Sequence, residues 1–128
     1  MSYHFSKTLN QPFDEAIESV TAALKEEGFG VLTEIDIKKT LKEKLDVSFR
    51  DYRILGACNP GYALKALTSE SHIGLMLPCN VIVQEHENGE VEVSAVDPIA
   101  SMQAIENPDL GEVAANVQKL LKKVINKL

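Results

Sequence analysis

Polar and apolar residues alternate at the start of the chain. Tyr3, Phe5 and Leu9 lie on one parity and His4, Ser6 and Thr8 on the other, which predicts a half-buried first strand. Asn10 and Pro12 then open a helix, with the proline in a first turn where its missing N–H costs nothing. Phe13, Ala16, Ile17, Val20 and Leu24 follow the helical period, and Gly28 supplies a left-handed stop. Phe29 to Ile35 reads as a second strand with Val31 and Ile35 facing inward. Asp36 caps a second helix in which Ile37, Leu41 and Leu45 recur every fourth residue.

Arg50 to Cys58 forms the third strand, largely apolar beyond Arg53. Asn59 and Pro60 repeat the cap-then-proline start, for a helix whose apolar positions include Ala63, Leu64 and Leu67. The fourth strand is expected from Ile73 to Val83, apolar on both parities and so covered on both faces in its first half. Asn88-Gly89 predicts a two-residue hairpin into a strand over Glu90–Val96. That turn sets Ile82 across from Ala95 and Asn80 across from Asp97, and puts Cys79, Val81 and Val83 on one face with Ser94 and Val96. Pro78, which cannot donate to a ladder, would end the pairing.

Asp97-Pro98 opens a short turn through Met102, and Asn107-Pro108 starts a long C-terminal helix. Its stripe runs Leu110, Val113, Ala114, Val117, Leu120, Leu121, Val124 and Leu128. The order is therefore β-α-β-α-β-α-β-β-α. It predicts an α+β fold in one domain over residues 1–128, a largely antiparallel sheet packed by helices.

Composition narrows the function classes. The chain has 128 residues, 45% apolar and 25% charged, with a net charge of −6. An acidic surface argues against binding the phosphate backbone of nucleic acid. No apolar run approaches the roughly 20 residues that span a bilayer. The first residues lack the basic and apolar regions of an export signal, so a cytoplasmic location is expected. The lysines of the second helix (Lys38, Lys39, Lys42 and Lys44) read as a solvated face rather than an anion site.

The candidate chemistry lies at the two cysteines, Cys58 and Cys79, both in the most apolar part of the sequence. In the cytoplasm they stay reduced, so a structural disulfide is not the default. Cys58 should sit just before a helix N-terminus, where unpaired N–H groups and the dipole favour a thiolate; burial opposes this. It is the candidate catalytic residue, if there is one. Cys79 lacks such support. A metal site is disfavoured: 20 residues separate the cysteines, no Cys-x-x-Cys occurs, and zinc takes about four ligands. His4, His72 and His86 read as surface histidines. Asn80 and Asp97, paired by the expected register, form a possible ligand contact, although capping is the simpler role for Asp97.

Gly56-Ala57-Cys58-Asn59-Pro60, Leu77-Pro78-Cys79-Asn80 and Asp97-Pro98 with Met102 together resemble the domain-of-unknown-function 302 family. The segments Gly28–Thr33 and Phe49–Leu55 are similar to it as well. The resemblance covers nearly the whole chain. It implies a TATA-binding-protein-like arrangement, with helices on one side of an antiparallel sheet; it brings no established activity, enzymatic or other, and leaves any cofactor unknown. An open sheet face carrying Val81, Val83 and Val96 would favour a homodimer.

Three readings follow. The first is a small binding module with a pocket lined by Cys58, Asn59, Cys79, Asn80 and Asp97, for a small molecule or a thiophilic ligand. The second is a thiol-dependent enzyme, redox or nucleophilic, using Cys58. The third makes both cysteines structural and the dimer surface the function.

Overall fold

Five strands hydrogen-bond into one sheet in the order β1-β5-β4-β3-β2, every neighbouring pair antiparallel. The computed structural model describes residues 2–128. Along the chain come β1 (His4–Leu9), α1 (Phe13–Glu26), β2 (Gly30–Asp36), α2 (Ile37–Leu45) and β3 (Tyr52–Cys58). They are followed by α3 (Pro60–Ser69), a 3-10 helix (Ser71–Met76), β4 (Cys79–Glu85), β5 (Val91–Val96), α4 (Pro98–Ser101) and α5 (Pro108–Asn126). The fold is α+β, an open antiparallel sheet packed against helices. No described helix is long and apolar enough to cross a membrane.

One face of the sheet makes the core. Leu55, Val81, Val83, Val93 and Ala95 are all but sealed against α1 and α5, which supply Ala16, Val20, Leu24, Leu121 and Val124. Each fully buried leucine among them contributes roughly 1.5–3 kcal/mol through water removed from its surface. The helix signals fall where the sequence put them. The Lys39 N–H donates to Asp36 Oδ1 at 3.0 Å, and the Asp109 N–H donates to Asn107 Oδ1 at 3.1 Å. Gly28, past the end of α1, has φ of +85°. Pro12 is the residue before the first turn of α1 rather than within it.

Several expectations about facing residues fail for local reasons. The hairpin holds three loop residues, not two. The Gly89 N–H donates to His86 O at 2.9 Å and the His86 N–H to Glu90 O at 2.8 Å, with Gly89 at φ +86°. This is a type I turn followed by a left-handed glycine, and the extra residue moves the register by one. Val81 thus pairs with Ala95 and Ile82 with Ser94. Cys79, Val81 and Val83 share the helix face with Val93 and Ala95. Val96 is on the opposite face beside His4. Val81 and Val83 are 0% exposed, so they cannot form the dimer surface proposed for them.

Ile35 also changes face. A bulge between Val31 and Thr33 adds a residue to β2, so Val31 keeps to the helix side with Ala57 while Ile35 pairs with Ile54 on the open face. The apolar run from Ile73 does not extend as a strand. Its first part coils into the 3-10 helix, which buries Ile73 and leaves Leu75 in solvent, and β4 begins only at Cys79, after Pro78. Apolar residues on both parities matched a doubly covered strand, but here they mark a coil with one buried anchor. No residue of α2 is fully buried. In α3 the docked residue is Ala66, and Leu64 and Leu67 are exposed.

Candidate functional site

The site begins where β3 runs out. Ala57 is the cross-strand partner of Cys79, and the chain leaves the sheet one residue later at Cys58, turning through Asn59 into α3. Gly56 allows the approach from the other side of the strand pair. A Cβ there would stand 2.7 Å from Pro78 Cγ and 2.1 Å from Thr33 Oγ1, both closer than carbon can come. The bare backbone at Gly56 therefore lets Pro78 lie against β3 and delivers Cys79 to the first position of β4.

Cys58 and Cys79 line one small cavity between the end of the sheet, α3 and α5. Its volume is about 30 Å³, little more than one water needs. Asn59, Tyr62 and Met102 line it as well, with apolar walls from Phe29, Leu77, Val113 and Val117. Among the described residues, no His, Asp, Glu, Lys or Arg does. Cys79 is buried and Cys58 half-buried, and both thiols are free. Burial pushes the Cys79 thiol up to about 11, and the nearby charge of Cys58 adds to the effect.

Asn59 behaves unlike the other residues that stand before helices. Its carbonyl accepts from the Ala63 N–H at 2.9 Å, but its side chain makes no cap hydrogen bond. The side-chain amide lies across Gly28 instead, so close that a Cβ on that glycine would be 3.1 Å from Asn59 Nδ2. Gly28 thus serves both the left-handed end of α1 and the seating of Asn59. The first turn of α3, next to Cys58, keeps its N–H groups free of a side-chain acceptor from Asn59.

Two of the five expected ligand residues fall elsewhere. Asn80 points into a shallow groove on the open face, about 400 Å³ in volume, with His4, Tyr52, Ile82 and Gln84. The register shift separates it from Asp97. Asp97 Oδ1 accepts from the Ile99 N–H at 3.0 Å and from Gln118 Nε2 at 3.1 Å, which is a cap tied to α5. The histidines stay apart from the cavity: His86 Nε2 is 3.2 Å from Glu92 Oε1, His72 is largely exposed, and His4 bonds Ser6. No group of three or more His, Cys, Asp or Glu side chains converges to hold a metal among the described residues.

Besides its apolar walls, the cavity has a thioether from Met102 and a phenol from Tyr62, neither of which the sequence assigned to the site. Met102 ends α4, where its N–H donates to Pro98 O at 3.0 Å. Its place four residues beyond a proline-started turn was visible, but not the direction from which that turn meets the cysteines.

The comparisons with known proteins agree with the fold. No curated protein matches the chain. A crystal structure of an uncharacterized conserved DUF302 protein from Bacillus stearothermophilus is 31% identical, covers 98% of each chain, and superposes with a TM-score of 0.91. The domain of unknown function DUF302 matches residues 5–128. On that span and that likeness, the chain belongs to the DUF302 family.

Proposed function

We propose that this protein is a small binding module for a thiophilic species of ionic size, taken up between Cys58 and Cys79. The observation that carries the reading is the cavity of about 30 Å³ that both cysteines line. Pockets for small organic ligands are commonly about 300–1,000 Å³, so the volume favours an ion over a molecule. The lining supports binding over nucleophilic catalysis, because it offers Cys58 no carboxylate or imidazole as a base. Asn59 stays in the reading, whereas Asn80 and Asp97 leave it. Free thiols of this kind suit a reducing compartment such as the cytoplasm.

The test is native mass spectrometry of the full chain with mercury(II), a generic dithiol ligand. One ion per chain is expected, with Cys58, the more accessible thiol, then protected from alkylation. Loss of that stoichiometry in both Cys58→Ala and Cys79→Ala completes the result. Equal uptake by the double variant would sink the reading and leave the cysteines as core residues.

A separate observation supports pairing of two copies. On the open face Ile35, Ile54 and Ile82 stand in one cross-strand row, and covering such a row favours self-association. Sedimentation of the wild type and of Ile82→Lys tests it: a dimer that the lysine disperses is expected, and a wild-type monomer at all concentrations overturns it.

A further inference from the structure

We propose that the cavity is a site for a monovalent soft d10 cation of the copper(I) or silver(I) type, with the Met102 thioether as third donor beside the thiolates of Cys58 and Cys79. The inference rests on the dithiol reading above and adds to it the class of ion and one residue.

Three features carry it. The first is the donor set. Met102 is 8% exposed and lines the same cavity as both cysteines. Thiolate and thioether sulfur are soft donors that suit copper(I), whereas hard cations need oxygen. The second is coordination number. Two thiolates and one thioether give three ligands, and no histidine or carboxylate lines the cavity to complete the four that zinc takes. A low-coordinate ion fits that count. The third is charge. A monovalent cation with two thiolates carries a net −1 in an apolar surround. The N-terminal turn of α3 starts two residues after Cys58, and Asn59 leaves its N–H groups without a side-chain acceptor. Those groups and the positive end of the helix dipole offset the charge.

Binding exchanges two S–H bonds for two metal–sulfur bonds and releases two protons to solvent. The thioether donates without losing a proton. Copper enters and stays as copper(I), so no oxidant or reductant is required.

The test loads the full chain with copper(I) under anaerobic conditions and reads its coordination by X-ray absorption. Three sulfur neighbours are expected in the wild type. Met102→Leu, a swap that conserves volume and so keeps the fold, should show two and bind copper(I) about tenfold more weakly. Its uptake of mercury(II) should be unchanged. Selenomethionine-substituted wild type provides a check without a variant, since copper should then appear as a neighbour at the selenium edge. Two-sulfur copper in the wild type, or a Leu variant with wild-type affinity, overturns the role of Met102 while leaving the dithiol reading in place. Failure of mercury(II) and copper(I) alike to bind removes both.

Discussion

Ala57 and Cys79 face each other across the β3–β4 ladder, and Cys58 follows Ala57 directly. The ladder thus brings two cysteines 21 positions apart in sequence to one end of the sheet. They are not equivalent there: Cys79 is the first residue of β4 and buried, while Cys58 is the last of β3 and half-buried.

That difference predicts the order of alkylation. Burial pushes the Cys79 thiol up to about 11, and only thiolate reacts. Near pH 8, iodoacetamide should label Cys58 first and leave Cys79 almost untouched. Labelling of Cys79 should climb as pH approaches 11. Peptide mapping after timed labelling checks this, and equal rates at both positions near pH 8 would contradict it.

Asp97 should behave as a cap and not as a ligand. Asp97→Ala removes the acceptor of the Ile99 N–H and of Gln118 Nε2. A loss of about 1 kcal/mol in urea unfolding is expected. Uptake of a thiophilic ion by the folded variant should match the wild type. A variant of full stability with impaired uptake would restore Asp97 to the site.

Gly56→Ala should cost more than its one methyl suggests. The added Cβ meets Thr33 Oγ1 and Pro78 Cγ, so the β2–β3 pairing or the Pro78 approach must shift. A destabilisation of about 1–3 kcal/mol follows from such overpacking. Because Pro78 precedes Cys79, alkylation of Cys79 should also speed up. Thr33→Ala relieves the nearer clash and should recover part of the stability.

The seam between α1 and α5 should respond to acid. Glu27 is held below its ordinary pKa, first by its hydrogen bond with Lys123 and then by the charges of Lys123 and Lys127, against the opposing effect of burial. A carboxylate lowered on folding stabilises the protein above its unfolded pKa, and the gain fades as pH falls through the folded value. Lys127 is raised, chiefly by its hydrogen bond with Glu26 (2.6 Å), so its contribution fades only at alkaline pH. Melting temperature should therefore fall as pH drops below about 4.5. Glu27→Gln should flatten part of that slope.

The helices and their starts were legible because their causes are local. Asp36, Asp97 and Asn107 each cap within three residues, and the stripe of α5 needs only a 3.6-residue period. Facing residues were less legible. A hairpin loop of two or three residues both fit Asn88-Gly89, yet they differ by one position in every pair along β4 and β5. The bulge at Leu32 left no sign in its own residues, and Ile73–Leu77 is short enough to read as strand or coil.

Local pattern and motif were enough for an α+β chain, the proline-started helices α3, α4 and α5, the family, and Cys58 at the end of its strand, since each depends on neighbours in the chain or on motifs. Which residues share a space depends on the packed fold. It gave Cys58, Asn59, Cys79 and Met102 one cavity, sent Asn80 to the open face, and tied Asp97 to α5. The physical reason is that strand register and helix docking are set by long-range packing, where a one-residue slip turns a side chain to the opposite face.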